Sequence, residues 1–168
     1  SSMGDEALRA IEAMSKDMLD SRSLSIPQLR FNAGKQIQRA LLSHNILHQE
    51  NNGRLTFGHQ TLLDVLAVRY AIRQGHTLQQ FIESLPAVPF VRPSIRAFVE
   101  YLAMEDRRVF RKQVRTALLS DSPFHIHRLI AESFVQKDPE QNDWPMISQL
   151  HKDYPAIFQI IYTQSKSI

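Results

Sequence analysis

A chain of 168 residues, 43% of them hydrophobic, is long enough to bury a core as one domain or as two small ones. The absence of cysteine excludes disulfides, thiolate metal sites and a cysteine nucleophile. With 20 Lys plus Arg against 17 Asp plus Glu, there is no strong electrostatic reason to expect nucleic acid, whose binders concentrate basic residues on one face. No apolar run approaches the roughly 20 residues of a membrane span, and the N-terminus lacks a signal peptide's basic region and unbroken apolar core. The chain therefore reads as a globular cytoplasmic protein with no membrane partner.

Residues 1–3 read as a cloning remnant, and the direct entry into a helix suggests a piece of a longer protein. Over 5–19, Ala7, Leu8, Ile11, Met14, Met18 and Leu19 form the apolar stripe of a first helix, with Asp5 and Glu6 suited to its N-terminal dipole. Residues 22–26 read as a short extended piece, because Pro27 pushes Ile26 out of the α region. Pro27 then fits the first turn of a short second helix over 27–31. A third helix over 33–43 carries Ile37, Ala40, Leu41 and Leu42 on one side and Lys35, Gln36, Gln38 and Arg39 on the other.

Asn51, Asn52 and Gly53 tolerate the positive φ that a hairpin turn requires, and they lie between strands expected at 46–50 and 54–57. Gly58 breaks the second strand. From Gln60 onward Leu62, Leu63, Leu66, Ala67, Tyr70 and Ala71 recur at helical spacing, leaving Asp64, Arg69 and Arg73 outside the stripe. His59 sits at the joint between strand and helix, where a ring either points towards a partner or donates to local backbone. Helix, short strand, helix, helix and two-stranded wing is the order of a winged helix, and the expected domain spans 1–75.

After Gly75 only helices are expected, in a second domain over 76–168. A short helix over 76–84 places Leu78, Phe81 and Ile82 inward. Pro86, Pro89 and Pro93 mark a connection over 85–93. Three longer helices follow: 94–103 presents Ile95, Phe98, Val99 and Leu102; 107–119 presents Val109, Phe110, Val114, Ala117 and Leu118; 124–135 presents Ile126, Leu129, Ile130 and Phe134. Two more are expected over 143–152 and 155–162. Short connections between such helices suggest a HEAT-like array of antiparallel pairs, although no fixed sequence period is visible. The expected fold class is mainly α: a winged helix with a small β-hairpin, then a helical array.

Chemistry is sparse. A phosphate-binding loop needs G-x-x-x-x-G-K-[ST], but around Gly34 and Lys35 the first glycine is replaced by Leu29 and the hydroxyl by Gln36. His125 and His127 lie two apart on an expected helix, where their rings diverge, and no third ligand has metal-binding spacing. No catalytic residues, bound metal or cofactor are expected. Arg108, Arg111, Lys112 and Arg115 share one helix face, either solvated or meeting phosphate, an acidic protein surface or a neighbouring domain, with a protein ligand or effector as the partner it would imply. Lys35 and Arg39, with Arg54 as the one basic wing residue, would be the contacts if the module read DNA. The acidic-to-neutral wing tip disfavours that reading.

Within GRLTFGHQTLLDVLAVRY, the residues Phe57, His59, Leu63, Asp64, Ala67 and Tyr70 resemble the signature that closes the winged-helix domain of NACHT-like members of the signal-transducing STAND P-loop NTPases. The resemblance covers about residues 5–75 and implies a non-catalytic regulatory piece of such an NTPase, acting in signalling or bacterial defence. It implies that His59 contacts the β-phosphate of ADP held by the nucleotide-binding domain of the same parent chain, and that Asp64 orients the helix. ADP or ATP would then be a cofactor of the parent alone. A winged-helix transcriptional regulator and a helical protein-protein adaptor are the alternatives.

Overall fold

A computed structural model describes residues 2–135; the helices expected over 143–152 and 155–162 lie outside the described residues. The protein is mainly α, with one small antiparallel hairpin, and it divides into two compact units, Ser1–His76 and Thr77–Ile168.

The first unit opens with α1 (Ser2–Ser21), followed by a 3-10 turn at Gln28–Arg30, α2 (Lys35–Ser43), β1 (Leu47–Gln49), β2 (Leu55–Phe57) and α3 (Thr61–Arg73). Of the extended piece expected over 22–26 only Ile26 pairs, exchanging both backbone hydrogen bonds with Leu55 at 2.9 and 2.8 Å, whereas Arg22 turns left-handed and so cannot begin a strand. The hairpin register pairs Leu47 with Phe57 and Gln49 with Leu55, which turns Leu47, Leu55 and Phe57 into the core. Of the three turn residues only Gly53 takes a positive φ, at 82°. α1 packs against α3, and Ile11, Met14, Met18, Leu63, Ala67 and Ala71 are all buried.

Three stripes differ from their sequence reading: in α1 Ala7 and Leu8 are only half-buried while Ala10 is buried. In α3 Val68 is buried whereas Leu62 and Tyr70 are only half-buried, and in α2 Ala40 is exposed and Leu42 half-buried. The buried faces are shifted or trimmed relative to the apolar pattern, because apolar side chains at a stripe's edge remain partly in water without cost to packing. All three helices of this unit end in the same way, with a left-handed residue after the last turn: Arg22 (φ 53°), Asn45 (φ 58°) and Gly75 (φ 74°). The amide of that residue and the next return to carbonyls of the closing turn, as His76 does to Ala71 at 2.9 Å, the Schellman arrangement.

The second unit begins with α4 (Leu78–Glu83), whose capping box joins the Thr77 hydroxyl to the Gln80 amide and the Gln80 side chain to the Thr77 amide. After a 3-10 turn at Pro89–Val91 come α5 (Arg92–Glu105), α6 (Arg107–Leu118) and α7 (Phe124–Val135). Pro93 belongs to the first turn of α5 and not to the connection expected from sequence; there its missing N–H forfeits no helical bond. Asp106 alone separates α5 from α6, and its carboxylate accepts from the amides of Arg108 (2.9 Å) and Val109 (3.3 Å).

The core of this unit is aromatic. Phe81 meets Phe98 with ring centroids 5.1 Å apart, and Phe110 stacks on Phe134 at 5.6 Å; all four are fully buried. Val109, expected inward, is 39% exposed, because the buried positions Phe110, Val114, Ala117 and Leu118 already complete the i, i+4, i+7, i+8 stripe. No helix of the described residues is long and apolar enough to cross a membrane.

Candidate functional site: the His59 corner

The corner between β2 and α3 is set by backbone. Gly58 donates its N–H to the Ile46 carbonyl at 2.9 Å, and a Cβ added at Gly58 would collide with the backbone carbonyl of Asn45. The glycine is required for close approach of two chain segments, a stronger constraint than breaking a strand. His59 follows directly. Its carbonyl accepts from the Leu62 amide at 3.1 Å, starting α3, while its side chain is exposed and makes no hydrogen bond among the described residues. Asp64 lies in the first turn of α3, half-buried and engaged in an interaction of its own, where a negative charge complements the helix dipole.

α3 is held on α1 by a buried carboxylate. Glu12 is 1% exposed; its Oε1 accepts from Arg69 Nε at 3.3 Å and from Arg73 Nη2 at 3.2 Å, and its Oε2 accepts from Arg73 Nε at 2.8 Å. The hydrogen bond to Glu12, and then the negative charge of its carboxylate, raise the Arg73 pKa above the ordinary arginine value. Sequence periodicity left Arg69 and Arg73 outside the apolar stripe and gave no sign of this tie. The one available signal was a glutamate beside Ile11 on the inward side of the first helix.

The residues singled out for DNA do not act alike. Lys35 and Arg39 project from α2 into solvent, but Arg54 is committed internally: its Nε donates to Ser25 Oγ at 2.7 Å and its Nη2 to the Ser25 carbonyl at 2.9 Å. That fork ties the hairpin to the segment before Ile26.

On α6, Arg108, Lys112 and Arg115 are exposed, whereas Arg111 is half-buried and has an interaction of its own. Arg107 lies flat on the aromatic core, its guanidinium 4.5 Å from the Phe110 ring centre and 5.9 Å from that of Phe134, a cation–π packing. On α7, His127 is buried, and burial pushes its pKa below the ordinary histidine value, partly opposed by a hydrogen bond to the Ser120 backbone and by the charge of Asp121. Among the described residues no three His, Cys, Asp or Glu side chains gather as metal ligands would.

Comparison with known proteins places nothing beside this chain: no family model, no curated protein and no solved structure matches it.

Proposed function

We propose that this chain is a non-catalytic regulatory piece of a cytoplasmic STAND-type NTPase, in which the His59 corner contacts the nucleotide held by the parent's nucleotide-binding domain. The helices of the second unit then form a HEAT-like array that receives or transmits a signal from a protein ligand or effector. One observation carries the reading: the His59 ring stands exposed, without a hydrogen-bond partner among the described residues, at a corner whose backbone direction is fixed by Gly58. A ring so presented can donate to a phosphate oxygen. A contact made with one nucleotide state and lost in the other would bias a two-state switch by its differential affinity.

The first test is to read the coding sequence upstream of residue 1 for a strand followed by G-x-x-x-x-G-K-[ST]. With that loop present, His59→Ala in the full-length parent is expected to speed release of bound ADP, followed by displacement of a fluorescent analogue. Unchanged release would remove His59 from the switch. A start codon at Met3 with nothing before it would sink the NTPase reading, and titration with DNA at two salt concentrations, with Lys35→Ala and Arg39→Ala as variants, would follow.

A further inference from the structure

The second unit contains a cationic cleft that none of the readings above uses. The first turns of α5 and α7 lie side by side and enclose an open cavity of about 360 Å³. Arg92 and Arg96 reach it from successive turns of α5, and His125 and Arg128 from α7. Neither Arg92 nor Arg96 has an ion-pair or hydrogen-bond partner among the described residues. Arg128 is held by Glu132, Nε to Oε1 at 3.0 Å, so three guanidinium groups face a single carboxylate. His125 Nε2 is shut off from solvent without a hydrogen-bond partner among the described residues; a small rotation of the ring towards an anionic oxygen would meet that need. The remaining wall is apolar, and at its rim the ring of Phe124 is 56% exposed.

We propose that this cleft binds a small phosphate monoester carrying a flat apolar ring. Guanidinium forks match phosphate oxygens two at a time, and a dianion answers the positive excess better than a carboxylate would. Phe124 offers a face on which the ligand's ring stacks. Glu132, fixed by Arg128, offers an acceptor to a hydroxyl on the ester. The cavity is of the size of small-molecule sites, and its charge converges on one point and does not run as the extended track that a nucleic-acid backbone follows. This assignment is independent of the nucleotide switch proposed for His59.

Titration of the whole chain with phenyl phosphate, inorganic phosphate and a short single-stranded oligonucleotide, followed by amide chemical shifts, tests it. Phenyl phosphate is expected to saturate at millimolar concentration, to bind more tightly than inorganic phosphate, and to shift amides in the first turns of α5 and α7. The double variant Arg92→Ala, Arg96→Ala replaces two exposed side chains and should keep its far-UV spectrum while losing about tenfold or more in affinity. Phe124→Ala should reduce phenyl phosphate to the affinity of inorganic phosphate. Failure to saturate, or binding that survives the double variant, overturns the proposal. Equal affinity for the two phosphates in the native chain marks an adventitious ion only, and overturns the ring subsite with it. Oligonucleotide binding tighter than phenyl phosphate and sensitive to the same arginines would replace it with a nucleic-acid surface.

Discussion

Four arginines of the first unit and two of the second are used in opposite ways. In the first, Arg30, Arg54, Arg69 and Arg73 all find acceptors on other elements, on Asp17, Ser25 and Glu12, and the unit is tied together across its surface. In the second, the core is closed by stacked phenylalanines, and Arg92 and Arg96 have no acceptor among the described residues. The same side chain is structural where the fold brings an acceptor within 3.3 Å, and available to a ligand where it does not. Residue type decides what a guanidinium could do; topology decides whether it is already occupied.

The contrast can be tested by breaking each unit at its own joint. The largest expected effect is Phe110→Ala, which opens a cavity beneath Phe134 and Arg107 and should cost about 4 kcal/mol of unfolding free energy in a urea titration. Glu12→Gln keeps the volume of the buried side chain but removes the charge facing Arg69 and Arg73. Its expected cost is about 2 kcal/mol, and a smaller loss than that of a routine surface substitution would mean that apolar packing alone holds α1 to α3.

His127 gives the second unit a pH signature. Its folded pKa is lowered by burial, so the unfolded chain binds the proton more readily. The associated stability is fully present above the ordinary value of 6.5 and is lost as pH falls towards the lowered folded value. The urea midpoint should therefore drop between about pH 7.5 and pH 5.5, and His127→Gln should flatten that drop. The smallest effect expected is a gain. Arg22 holds a left-handed conformation that glycine adopts freely, and Arg22→Gly should add about 0.5–1 kcal/mol to stability.

Much of this architecture is local and therefore legible in the sequence. The hairpin turn ending in Gly53 and the buried stripes of α4, α5 and α7 each depend on residues within a few positions of one another. Glu12 shows where such reading stops. Its partners lie 57 and 61 residues away, and a carboxylate beside an apolar stripe is indistinguishable from a solvated one until α3 is laid against it. Arg107 is the converse: it heads a run of basic residues whose charged face it does not share, and the stacked rings of Phe110 and Phe134 supply a surface that its guanidinium covers well. The cleft between the first turns of α5 and α7 was hidden for the same reason, since its arginines and histidine come together only when two helices separated by a third are packed side by side.

The Ile26–Leu55 pair has a mechanical consequence. A hairpin with strands of three residues is too short to hold its shape alone, so the corner bearing His59 is braced from outside by a single residue, Ile26. That residue lies a few positions beyond Ser21, the end of α1. Two backbone hydrogen bonds thus act as a latch between the tail of the first helix and the exit of the wing. Opening that latch would free the start of β2 from the segment that follows α1, two residues of strand ahead of the corner that carries His59.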